Sequence, residues 1–154
     1  MSRAELNPEA ERRAPGWLRI MNALNRPLLR RGWGPAPQHL LCVPGRTSGL
    51  MRETPVAVVP SEGGRYIVAG FAGSDWVQNA RHSGSGELRR GRTRERVLLD
   101  EVPIDERPAI LRTFAREVRG GRSFLTVGSR PSDAELAAAS PRHPVFRIRP
   151  DPAR

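Results

Sequence analysis

Strand-forming runs in this chain succeed one another through short turns, and no other feature limits the fold as much. Residues 40–43 are a continuous apolar run, halted by Pro44 and Gly45. Residues 53–59 carry Val56, Val58 and Val59, β-branched side chains that suit an extended backbone. Residues 61–64 have the composition of a turn, and residues 65–69 run back from it as a hairpin partner. A second hairpin sets residues 87–90 against residues 94–102 across Gly91 and Arg92. Residues 145–149 alternate Phe146 and Ile148 with Arg147 and Arg149, the period of a half-exposed last strand. The tally is about six strands, with short helices between them and no regular βαβ alternation. Strands joined this way favour an antiparallel barrel with helices packed on its outside.

The helical signals are local. Trp17, Met21, Leu24 and Leu28 recur at helical spacing with Arg19, Asn22 and Arg26 on the other side, and Pro27 stops or bends the pattern. That helix reads either as a cover on one end of the barrel or as a basic amphipathic helix lying on an anionic membrane. Ser74 is placed to cap a short helix carrying Trp76, Val77 and Ala80, ended by residues 84–86. Pro103 opens a helix whose Ile110, Leu111, Phe114 and Val118 share a face, closed by Gly120 and Gly121. Ser132 and Glu135 have capping-box spacing ahead of an Ala-rich helix that reaches Ala139. With 154 residues the chain reads as one domain over 15–154 behind a flexible polar tail over 1–14.

Composition narrows the setting. No apolar run approaches the length of about 18 residues that spans a bilayer, and the first residues lack an apolar signal region. A cytoplasmic protein is expected, with contact to the inner membrane face left open by the N-terminal helix. Cys42 is the only cysteine, so no internal disulfide forms, and its apolar neighbours make it buried filler. The net charge is +10, and every basic residue is Arg. Such a field attracts phosphates, nucleic acid, anionic lipid or anionic cofactors. Nucleic acid is disfavoured, because aromatics are only 5% of residues and the arginines are scattered rather than interleaved with them. His39, His82 and His143 lie far apart beside turns and read as surface or capping residues; no metal-ligand cluster is apparent.

Two segments carry chemistry. Residues 45–55 form a glycine-bounded loop between two strands, with Arg46, Arg52, Thr47, Ser48 and Thr54. Glycines let a backbone approach phosphate, hydroxyls donate single hydrogen bonds, and guanidinium forks bind phosphate oxygens in pairs. Taken alone it is an anion cradle or an ordinary hairpin loop. Residues 73–80 open a helix after a Gly-rich turn, aiming free amides at whatever precedes it. Trp76 and Asn79 there are pocket residues or simply core and cap.

Together the pattern G-R-x-S-G-x-x-R-x-T-P, matched at Gly45, Arg46, Ser48, Gly49, Arg52, Thr54 and Pro55, followed by W-x-x-N at Trp76 and Asn79, resembles the deazaflavin-dependent nitroreductase family of actinobacteria. The resemblance covers residues 40–118 and the last strand. It implies a mainly β fold with flanking helices, a six-stranded antiparallel split β-barrel related to the flavin reductases, and coenzyme F420 as cofactor. By that resemblance Arg46, Ser48, Gly49 and Arg52 bind the cofactor's phosphate and the start of its anionic tail. Thr54, Pro55, Val56 and Ala57 run along the deazaflavin ring. Ala69, Gly70, Phe71, Ala72 and Gly73 present backbone amides to its polar edge, and Trp76 and Asn79 complete the pocket. Thr47 stands where many relatives have Lys, one cationic contact fewer, which Arg46, Arg52 and Arg81 can offset. Tyr66 is the only tyrosine and lies in a strand, so the tyrosines that some relatives place over the substrate have no counterpart here.

The implied activity is hydride transfer from reduced coenzyme F420 to a small organic acceptor (nitro, quinone or enone), with the proton drawn from solvent and no catalytic side chain assigned. The alternatives are FMN in the same fold, or a non-enzymatic barrel that sequesters a cofactor-like or anionic ligand. The chain is expected to act as a monomer or homodimer.

Overall fold

The computed structural model describes residues 38–118 and 120–152. The tail over 1–14, the helix expected over 17–28 and the turn-rich residues 32–37 lie outside them. Six strands, β1 (Gln38–Pro44), β2 (Met51–Ser61), β3 (Gly64–Val68), β4 (Ser85–Arg90), β5 (Thr93–Glu101) and β6 (Val145–Pro150), close into a barrel in the order β1-β2-β3-β6-β5-β4. Every pairing is antiparallel. Closure falls between β1 and β4, where Leu41 faces Leu88 across the ladder while also facing Thr54 on β2. The strand boundaries lie within two residues of those expected from sequence.

Alternation sorts the side chains into two layers. Leu41, Val56, Val58, Ile67, Leu88 and Phe146 point into the barrel and form its core. Val59, Tyr66, Val68 and Val145 point outward and are covered by α2 (Arg107–Glu117), α3 (Gly121–Leu125) and α4 (Asp133–Ala139), through Leu111, Leu125 and Leu136. Each of those leucines is fully buried, a contribution of about 1.5–3 kcal/mol per side chain. The apolar face expected for α2 is present: Ile110, Leu111 and Phe114 are buried and Val118 is half-buried. A 3₁₀ turn, Ile104–Glu106, precedes that helix. The short α3 beyond it was not expected from sequence.

The two barrel mouths are closed differently. The helix α1 (Asp75–Ser83) follows β3 and plugs one, with Val77 and Ala80 fully buried in the barrel core and Trp76 packed against it. At the far mouth Arg65 and Glu95 occupy the inward register of Ile67 and Leu88 and form a two-pronged ion pair, at 3.0 and 2.6 Å. The guanidinium beside it holds the Glu95 carboxyl below its ordinary range. Arg107 is buried to 5% exposure and ties β5 to the segment after α4, donating from Nε to the Val102 carbonyl and from Nη1 to that of Ser140, each at 2.9 Å. Glu101 lies 3.6 Å away as its counter-charge.

Candidate functional site

The loop between β1 and β2 begins where their ladder ends, at the pair Pro44 and Met51. It is braced by its own hydrogen bonds. Gly45 N–H donates to the Leu50 carbonyl (2.8 Å), Gly49 N–H to that of Gly45 (2.9 Å), and Leu50 N–H to Ser48 Oγ (3.2 Å). A Cβ at Gly45 would stand 2.9 Å from Ser48 Oγ, so a side chain there would force that hydroxyl to turn away. Gly49 makes the corner of the loop with φ of +71°. Among the described residues, the amides of Thr47 and Ser48 find no acceptor. Two successive free amides beside guanidinium groups are an anion-binding arrangement.

Helix α1 supports this loop from below. Asn79, 4% exposed, turns its Oδ1 to Arg46 and accepts both the backbone N–H (3.0 Å) and Nη1 (2.9 Å). Arg46 Nη2 also pairs with Asp75 Oδ1 at 3.3 Å, and Nη1 reaches the Asp75 carbonyl at 3.5 Å. Arg46 is therefore folded against α1. Arg52, exposed on β2, has no such partner among the described residues. Trp76 spans core and cleft, its ring centroid 5.6 Å from that of Phe146.

These residues line a cleft of about 680 Å³, inside the range of roughly 300–1,000 Å³ typical of small-molecule sites. Of the expected site residues, Arg46, Thr47, Ser48, Arg52, Thr54, Trp76 and Asn79 are brought together on it. Sequence reasoning did not single out Met51, Glu53 and Asp75, which line it too. Met51 and its neighbour Leu50 are exposed apolar side chains at this end of the barrel. Glu53 is 3.4 Å from Arg89, itself ion-paired to Glu87. Pro55, Val56 and Ala57 lie further along β2, where Val56 packs inside the barrel and Ala57 against the outer helix layer. A larger cleft, about 770 Å³, runs along the outer face past Tyr66 and Arg147 and contains none of the expected residues. Its Arg112 and Arg149 are already paired with Asp133 and Asp100.

Residues 69–73 connect β3 to α1, so they approach the cleft only through the first turn of that helix. Ala69 is buried, and its N–H donates to the Pro144 carbonyl at 2.8 Å. The amides of Gly70, Phe71, Ala72 and Gly73 have no backbone acceptor among the described residues. Ser74 sits at the cap position of α1 but makes no capping bond; its Oγ donates to the Phe71 carbonyl at 2.8 Å and so braces the loop instead. Gly70 is required by close packing, since a Cβ there would lie 2.2 Å from the Phe124 ring of α3. His143 is buried, not a surface residue, with Nδ1 3.0 Å from the Ala69 carbonyl. Neither Phe124 nor His143 carried a sequence signal, because their role comes from contacts across about fifty residues or more of chain.

The profile of the F420H(2)-dependent quinone reductase family matches residues 17–130, well over half of the chain. The chain belongs to that family. Its cofactor is accordingly coenzyme F420 and its chemistry that of an F420-dependent oxidoreductase. No curated protein matches the chain. Among solved structures, an F420-H2 dependent reductase superposes over 74% of this chain and 95% of its own, with TM-score 0.52 and 18% identity. A domain-swapped dimer superposes over 86% and 97%, with TM-score 0.55 and 18% identity. A conserved hypothetical protein from Mycobacterium tuberculosis does so over 92% and 83%, with TM-score 0.51 and 14% identity. Likeness at these identities shows that this F420-dependent reductase has the barrel fold of those proteins. No helix among its described residues is long and apolar enough to cross a membrane.

Proposed function

We propose that the cleft between the β1–β2 loop and α1 holds the phosphate and anionic tail of coenzyme F420, and that the protein passes hydride from the reduced coenzyme to a small organic acceptor. A quinone is the acceptor class the family name supports; nitro and enone acceptors are electronically similar and belong to the same reading. The observation that carries the site is the Arg52 guanidinium beside the amides of Thr47 and Ser48, none of which has a partner among the described residues. The donors present, two guanidinium groups, two hydroxyls and two amides, fit a phosphate ester.

The bound coenzyme supplies the hydride. The protein's own residues bind and orient. Arg52, Thr47 and Ser48 hold the anion, Trp76 offers a flat apolar face, and residues 69–73 offer amides to a polar ring edge. No catalytic side chain is assigned among the described residues, and solvent supplies the proton. FMN, whose single phosphate suits the same donors, is the comparison ligand.

Titration with oxidised coenzyme F420 and with FMN, read by Trp fluorescence, tests this. Coenzyme F420 is expected to bind, and Arg52→Ala to weaken it by about 1.5–3 kcal/mol, roughly ten- to 150-fold. Tight FMN binding with none of F420 would overturn the assignment of this cleft to F420. Unchanged affinity in both Arg52→Ala and Arg46→Ala would remove the site assignment.

A further inference from the structure

Arg46 and Arg52 stand on one cleft, yet among the described residues only Arg46 already holds an anion. Its Nη2 lies 3.3 Å from Asp75 Oδ1 and its Nη1 2.9 Å from Asn79 Oδ1. A guanidinium offers a planar edge of donors that suits two oxygens of a carboxylate or a phosphate. Here the Nη1 and Nη2 edge is filled by oxygens of the protein. The two protein groups differ in what holds them. Asn79 is 4% exposed, and its Oδ1 also accepts the Arg46 backbone N–H, so it anchors the loop whichever way the guanidinium faces. The Asp75 side chain is 79% exposed and that of Arg46 41%, so their pair is open to water and easily exchanged. Asp75 is also in the first turn of α1, where a carboxylate is favoured by the helix dipole without needing Arg46.

Resting on the reading that this cleft takes the phosphate of coenzyme F420, we propose that Asp75 is an internal competitor for Arg46. In the coenzyme-free protein its carboxylate occupies the guanidinium edge, and the incoming phosphate takes its place. Arg52, which has no partner among the described residues, makes the first contact. The displaced carboxylate turns to water, where its 79% exposed side chain already lies. The device lowers affinity and keeps the coenzyme exchangeable, as suits a hydride carrier that must leave to be reduced again. Asp75 acts through Arg46 and is a positioning residue, not a catalytic one.

A double-mutant cycle tests it: Asp75→Asn, Arg46→Ala and the pair, in a Trp17→Phe, Trp33→Phe background so that Trp76 is the reporter. The titrants are coenzyme F420 and its phosphate-free deazaflavin chromophore. Asp75→Asn is expected to tighten F420 binding by about three- to tenfold when Arg46 is present and by less than about twofold when it is Ala. The phosphate-free chromophore should bind equally to both forms, which a purely structural role of Asp75 would not produce. No gain from Asp75→Asn, or the same gain without Arg46, overturns the proposal. Should Arg46→Ala bind too weakly to titrate, Arg46→Lys keeps the charge, loses the fork and should show the same reduced gain. If Arg46→Ala and Arg52→Ala both leave F420 binding untouched, the site reading falls first; if both weaken it and Asp75→Asn changes nothing, only the competition falls.

Discussion

His143 shows how one residue couples the site loop to the stability of the whole chain. Burial holds its pKa below the ordinary 6.5; the hydrogen bond to Ala69 opposes this, and the nearby Arg142 adds to it. A base whose folded pKa is depressed stays neutral in the native state while the unfolded chain protonates. The stability it contributes is present above about pH 6.5 and is lost as pH falls from there toward the folded pKa. Melting temperature is therefore expected to decline between about pH 7 and about pH 5, and His143→Asn, which keeps a donor for the Ala69 carbonyl, to flatten that decline. An unchanged slope would show that other groups carry it. Glu95, Asp100 and Glu101 act lower on the scale: their partners Arg65, Arg149 and Arg81 hold them below the ordinary carboxyl range, so their contribution is lost only at more acid pH. At this scale the sequence is least legible. Arg46 and Arg52 look alike in the motif, yet one is folded onto Asn79 and Asp75 and the other has no partner among the described residues, because only Arg46 lies over the first turns of α1.

Elements were read best where a local rule fixes them. Ser132 Oγ accepts the Glu135 N–H at 3.2 Å, the capping bond that their spacing predicts. The helix α3 escaped notice because five residues are too few for a periodic signal. The turn between β2 and β3 is two residues, Glu62 and Gly63, with φ of 47° and 73°, both left-handed. This mirror-image turn matches the twist of the strands, but Glu is a poor occupant of its first position. Left-handed backbone costs a non-glycine residue about 1–2 kcal/mol, less for Asn. Glu62→Asn is expected to stabilise the protein by about 0.5–1 kcal/mol, seen as a rise of a few degrees in melting temperature. A fall would mean that the Glu62 side chain makes a contribution on the outer face larger than the strain it brings.

The whole molecule carries a net charge of +10, while the cleft mixes Arg46 and Arg52 with Glu53 and Asp75. The global field should speed the approach of an anionic coenzyme more than it strengthens the final contacts. Association measured by stopped-flow Trp fluorescence is expected to slow several-fold between about 20 mM and about 300 mM salt, with dissociation far less affected. A rate indifferent to salt would mean that the two carboxylates cancel the field where it counts. Strand alternation, the turns at 61–64 and 91–92 and the helical face of Ile110, Leu111 and Phe114 were settled by sequence alone. They are matters of backbone preference and side-chain period within a dozen residues, and from them the antiparallel barrel follows. Tertiary structure alone decided that β1 closes on β4, that α1 enters the barrel mouth, and that Asn79 meets Arg46 across 33 positions of chain. Those contacts arise when distant elements dock on a shared core, and no local pattern of residues encodes the distance between them.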